Sequence, residues 1–224
     1  MSDRGRVRIW DLPTRLFHWG LVVLIGLAWW SISTQQLALH RTIGALVAGL
    51  VVFRLWWGLF GGSTARFSHF LRGPGAVFAY ARGLFRRGAG HEPVSAGHNP
   101  MGGWSVALLL GLTAIIVGFG LFAGDVDGLE SGPLAGLVDY DGGRFASHWH
   151  GKAFDVMKVL VLLHLGAIAF YALFKRENLV RPMIDGRKSL AEDQPALQPA
   201  RLWALVIGLA LGGGVAWLLI RMSG

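Results

Sequence analysis

His150 and His164 stand fourteen residues apart in one apolar stretch, from Trp149-His150-Gly151 to Leu163-His164-Leu165. On a helix turning 100° per residue, that spacing returns both rings to nearly one face, about 40° apart, and separates them by ~21 Å along the axis. The hydrocarbon of a bilayer is ~30 Å thick, so one imidazole is expected near each side of it. His18 and His40 sit at the ends of two further apolar runs. Neutral imidazole is a good axial ligand for haem iron, and bis-histidine ligation leaves no position open for oxygen. Such a haem passes electrons and activates no substrate at the metal. Four histidines of this kind are what two six-coordinate haems stacked across a membrane require. A single histidine at a helix end is more often an interfacial polar residue; the matched face and the pairing by depth set out below favour ligation. Zinc would need carboxylates or thiolates to complete a tetrahedral site, and neither pair has such a cluster beside it.

Composition agrees with a membrane setting. The chain has 224 residues, 53% of them hydrophobic and only 15% charged, where a soluble domain carries roughly 25% charged residues. With no cysteine, iron–sulfur clusters, disulfides and covalent c-type haem attachment are excluded. The net charge of +8 forms no groove-like run, so nucleic acid is not expected as a partner. Ten tryptophans suit interfacial belts and large cofactor pockets. No small-residue cleavage site follows the first apolar run, which therefore reads as a retained helix.

Five spans are expected, at about 16–34, 39–60, 102–123, 148–174 and 202–221, each long enough to cross. The loops orient them. Basic residues fill the N-terminal tail (Arg4, Arg6, Arg8, Arg15), the 61–101 connection (Arg66, Arg72, Arg82, Arg86, Arg87, against Glu92) and the 175–201 connection (Lys175, Arg176, Arg181, Arg187, Lys188, Arg201). The 124–147 connection is acidic, with Asp125, Asp127, Glu130, Asp139 and Asp141 against Arg144. Basic loops stay cytoplasmic, so the N-terminus is expected inside and, after five spans, the C-terminus outside. His18 then lies near the inner side with His164, and His40 near the outer side with His150. Residues 74–87 read as a short amphipathic helix on the inner surface, and Asn99-Pro100 as the N-cap and first position of the third span.

Other residues fall around this frame. Gly20, Gly44, Gly151 and Gly166 flank the four histidines and would admit a porphyrin close to the backbone. Arg15, Arg41 and Arg54 stand where they could bind haem propionates through charge-assisted hydrogen bonds; for Arg54 the competing role is snorkelling to the interface. Asp155 and Lys158 lie three apart inside the fourth span, can pair, and point away from the proposed haem face. His148 reads as an exposed loop residue, or as the ligand in place of His150 if the helical register slips, His69 and His91 as solvated, and His98 as an interfacial cap or a contact to a propionate or quinone headgroup.

Several segments together resemble the prokaryotic cytochrome b-561 family, which includes b-type cytochrome subunits of nickel–iron hydrogenases. They are Val7-Arg8-Ile9-Trp10-Asp11-Leu12-Pro13-Thr14-Arg15-Leu16-Phe17-His18-Trp19, Leu39-His40-Arg41-Thr42-Ile43-Gly44, His98-Asn99-Pro100-Met101-Gly102-Gly103-Trp104-Ser105, the His150/His164 span, and Lys175-Arg176-Glu177-Asn178-Leu179-Val180-Arg181-Pro182-Met183. The resemblance covers roughly 7–184 and implies an all-α four-helix transmembrane bundle holding two haem b groups. Its ligand pattern falls on His18, His40, His150 and His164. It also implies electron relay in the respiratory chain of a bacterial inner membrane, between the quinone pool and a periplasmic redox protein such as a c-type cytochrome or a hydrogenase or dehydrogenase subunit. The expected organisation is a diheme bundle at 1–184, followed by a linker and an extra transmembrane helix at 185–224. The alternative function is a superoxide:quinone oxidoreductase acting without a partner; the acidic 124–147 loop argues against steering an anion to the outer side.

Overall fold

The computed structural model describes residues 6–84, 97–124, 131–189 and 197–223. Their helices are α1 (Leu12–Ser33), α2 (Leu37–Phe60), α3 (Phe67–Phe70), α4 (Pro74–Leu84), α5 (Pro100–Phe122), α6 (Tyr140–Phe174), α7 (Val180–Asp185) and α8 (Leu202–Met222). A 3-10 turn, Ala135–Leu137, precedes α6, and two short strands, β1 (Arg6–Arg8) and β2 (Arg187–Ser189), pair antiparallel. Helices α1, α2, α5, α6 and α8 are long and apolar enough to cross a membrane. The chain is an all-α, multi-pass membrane protein, as the sequence predicts.

Helix starts are set by side-chain caps. Asp11 Oδ1 accepts the Thr14 N–H at 2.8 Å, Asn99 Oδ1 accepts the Gly102 N–H at 2.7 Å, and Asp139 Oδ1 accepts the Gly142 N–H at 2.8 Å. Each satisfies one of the donors that a helix start leaves unpaired. The caps explain why α1 and α6 begin before their apolar stretches. Hydropathy marks only the part that meets hydrocarbon, whereas α6 starts at Tyr140, just past its cap, and its first turns carry Asp141 and Arg144. His148 is accordingly helical and exposed, not a loop residue. The surface helix expected at 74–87 is α4, Pro74–Leu84; Arg86, Arg87, His91 and Glu92 lie outside the described residues, as do Arg4, Asp125, Asp127 and Glu130.

The chain divides into two compact units. In the unit made of Met1–Leu16, Trp56–Leu108 and His164–Leu205, the strand pair ties the chain before α1 to the chain after α7. Gly186 makes this possible. It sits at φ +76°, and a Cβ there would meet the Trp10 carbonyl at 2.8 Å, so only glycine fits. Its own carbonyl accepts the N–H groups of Ile9 and Trp10 at 2.9 and 3.2 Å. Ile9 and Trp10 are buried. Trp57 Nε1 donates to Asp11 Oδ2 at 3.1 Å, so the residue that caps α1 also holds the end of α2.

In the unit made of Phe17–Leu55, Leu109–Leu163 and Val206–Gly224, α8 lies directly against α2. A Cβ at Gly49 would stand 2.5 Å from the Gly212 carbonyl oxygen, and one at Gly212 would stand 2.6 Å from that of Gly49. Gly208, Gly212 and Ala216 recur every fourth residue as the buried stripe of this part of α8. Small residues let two membrane helices approach until their backbones touch. Below that crossing Leu219 packs with Ala45 and Ala48, with Val117, Leu121 and Val215 around them. The fifth helix is thus knitted to a helix of the bundle.

Candidate functional site

His40 and His150 face each other. Their ring centroids are 6.0 Å apart and the planes are nearly perpendicular, at 85°. His40 is in the first turn of α2, where the tight turn after α1 returns the chain. Its Nδ1 donates to the Ala28 carbonyl of α1 at 2.9 Å. Ser31, fully buried, lies 3.4 Å from the same nitrogen and donates its hydroxyl to that same carbonyl at 2.9 Å. His150, on α6, donates Nδ1 to the Ile116 carbonyl of α5 at 2.8 Å. A proton fixed on Nδ1 leaves the lone pair on Nε2, the tautomer a metal ligand needs, and the carbonyl bond orients the ring and raises its basicity.

The pair fits a metal between the rings. Two metal–nitrogen bonds of about 2 Å, plus about 1 Å from each nitrogen to its ring centre, would put the centroids of two imidazoles sharing one metal ion up to roughly 6 Å apart. Among the described residues no three His, Cys, Asp or Glu side chains gather as a metal-binding group; two imidazoles are the number that would hold a haem iron from the protein side. A Cβ at Gly44, one turn after His40, or at Gly151, next to His150, would meet nothing within 4 Å. On the other side the fit is close, with a Cβ at Gly120 of α5 standing 3.0 Å from Cε1 and Nδ1 of His150. Gly20 is partly filled by Leu50, whose Cδ1 lies 3.6 Å from its Cβ position, whereas Gly166 is open.

His18, half-buried, has the Trp19 ring edge-on at 5.0 Å. His164 is half-buried on α6. The two belong to different compact units. Of the arginines, Arg54 is buried, 2% exposed, with its guanidinium 5.9 Å from the centre of the Phe17 ring; a side chain that reaches no solvent is not snorkelling. Arg41 Nη1 donates to the Ser131 carbonyl at 3.4 Å. Arg15 Nη1 donates to the Ile184 carbonyl, which ties α1 to α7.

Other polar side chains are paired as well. Lys158 Nζ meets Asp155 Oδ1 at 2.9 Å, with both side chains about half exposed, in an open groove bordered by Trp29, Ser33 and Phe154. Asn99 Nδ2 donates to the Tyr171 hydroxyl at 2.9 Å, which also bonds the Tyr80 hydroxyl at 2.6 Å. His98 sits between the rings of Trp10 and Phe70, at 4.6 and 4.7 Å. Sequence reasoning places the histidines but misses Ser31, Gly120 and the two carbonyls that hold the rings. A serine inside an apolar span was the one available signal; a carbonyl leaves none.

The model of the family described as prokaryotic cytochrome b561 matches residues 9–186, which is most of the chain. No curated protein and no solved structure matches it. With five crossing helices and facing imidazoles on two of them, the chain belongs to the prokaryotic cytochrome b561 family and is a multi-pass, haem b-binding membrane cytochrome of electron transfer.

Proposed function

We propose that the protein is a diheme cytochrome relaying electrons across a bacterial inner membrane between the quinone pool and a periplasmic redox protein. The observation that carries this reading is the His40/His150 pair, whose rings stand 6.0 Å apart with both Nδ1 atoms tied to carbonyls. His40 and His150 hold the outer haem, and His18 with His164 the inner one. When bound, haem b supplies a one-electron couple at iron. The protein holds both ligand rings at fixed orientation and keeps their Nε2 atoms unprotonated. Arg41 is assigned to a propionate of the outer haem, and Arg15 and the buried Arg54 to propionates of the inner one; a guanidinium binds carboxylate by paired charge-assisted bonds. The excess of basic residues in the N-terminal, 61–101 and 175–201 segments supports an N-terminus in the cytoplasm.

A reduced-minus-oxidised spectrum with haem quantification on the purified chain tests the assignment. About two haem b groups per chain are expected. His40→Ala and His150→Ala each remove the same one; His18→Ala and His164→Ala each remove the other. Full haem content in every single variant would overturn the ligand set.

A further inference from the structure

Like charges directly opposite one another across an antiparallel pair of strands are destabilising, yet β1 and β2 place Arg8 directly opposite Arg187. Directly opposed residues share a face, and their neighbours along each strand take the other. The other face is anchored: Val7 and Lys188 are half-buried, and Lys188 Nζ meets Glu177 Oε1 at 2.5 Å. The arginine face is exposed at both residues. Among the described residues neither guanidinium has a carboxylate partner. The nearest acid in sequence, Asp185, is engaged: Oδ1 accepts the Arg187 backbone N–H at 2.8 Å and Oδ2 accepts Arg181 Nε at 3.3 Å.

Position adds a second constraint. Arg8 is four residues before the first residue of α1, so it stands no more than about 14 Å from the start of a spanning helix. That puts a long arginine side chain within reach of the headgroup layer. Two residues before Gly186, Ile184 is 62% exposed, and the Arg15 bond to its carbonyl holds it against α1. An exposed apolar residue thus stands three positions before Arg187 in the chain.

We propose that Arg8 and Arg187 form a binding site for the phosphate of an anionic phospholipid. A phosphate between the two guanidiniums takes bidentate hydrogen bonds from them and removes the repulsion that the strand register imposes. This site is independent of the haem assignment.

The test is lipid binding to the full, haem-loaded chain in detergent, followed by native mass spectrometry. Phosphatidylglycerol and phosphatidylcholine of the same acyl chains are titrated separately. R8Q and R187Q should each weaken phosphatidylglycerol binding about fivefold, the share of one basic residue near an anionic surface, and leave phosphatidylcholine unchanged. R8K and R187K, which keep the charge but lose the bidentate fork, should bind phosphatidylglycerol more tightly than the glutamine variants and less tightly than the unaltered chain. The haem spectrum reports whether each variant is folded. Should the neutral variants fail to fold, salt decides on the unaltered chain: phosphatidylglycerol binding falls as ionic strength rises. Equal phosphatidylglycerol binding in the folded neutral variants, or binding indifferent to salt, overturns the proposal. Displacement of the lipid by equimolar inorganic phosphate would make this a free-phosphate site and overturn the lipid assignment.

Discussion

Replacing Gly120 by alanine tests whether the His150 ring is held for ligation. The new Cβ would stand 3.0 Å from both Cε1 and Nδ1 of that ring. Carbon atoms in contact prefer roughly 3.5–4.0 Å, so the ring must withdraw from α5 by about 0.5 Å. The acceptor of its Nδ1–H, the Ile116 carbonyl, is on α5 too and lies at 2.8 Å. Withdrawal stretches that bond to roughly 3.3 Å, past the usual range, at a cost of about 0.5–1.5 kcal/mol. Expressed as haem affinity, this is a loss of roughly two- to twelvefold. A weaker Nδ1–H bond also makes the imidazole less basic, a poorer donor to the oxidised iron, so the midpoint potential of that haem rises. If about 1 kcal/mol separates the two oxidation states, the rise is roughly 40 mV, since tenfold corresponds to 59 mV for one electron. A potentiometric titration followed at the haem absorbance and fitted to two components reads this directly. Gly118→Ala on the same helix is the control, because a Cβ there meets nothing within 4 Å. Full haem content with both potentials unmoved in Gly120→Ala, or an equal shift in Gly118→Ala, refutes the reasoning.

Three further outcomes are expected. Gly212→Val drives a side chain into the Gly49 carbonyl, where even a Cβ stands at 2.6 Å; backbone cannot yield, so stability falls by about 1–3 kcal/mol, seen as a lower thermal midpoint in detergent. Asp11→Ala removes the cap on α1 and the acceptor of Trp57 Nε1 together; the loss is about 1–2 kcal/mol, and Asp11→Asn should recover part of it in the same melt. Asp155→Asn leaves Lys158 without its partner inside a spanning helix; an unpaired charge facing hydrocarbon costs up to ~3 kcal/mol, so the thermal midpoint should fall while the haem spectrum matches that of the unaltered chain.

The spanning helices were legible because hydrocarbon imposes a length and a composition on whatever crosses it. The four histidines stood out because polar rings are rare within such stretches. The His40/His150 pairing could be read from topology: loop charge gives direction, and helical rise gives depth. Helix starts were less legible, since Asp11 and Asp139 cap outside the apolar stretch and hydropathy is blind to them. The two strands were not read at all. Arg6-Val7-Arg8 and Arg187-Lys188-Ser189 look like solvated basic tails, and only Gly186, with its positive φ, permits the turn that pairs them. The contacts of Arg15 and Arg54 also needed coordinates, because a guanidinium directed at a backbone carbonyl and one buried against an aromatic ring are spelled alike in sequence.

Both imidazole anchors, at positions 28 and 116, are main-chain oxygens. Exchanging Ala28 or Ile116 for another residue leaves its oxygen where the helix path puts it. An alanine or valine scan of these spans would therefore pass over both positions as dispensable, although each holds an imidazole ring. The orientation of His40 and His150 is written in the course of α1 and α5, and only a kink or a shift of those helices can erase it.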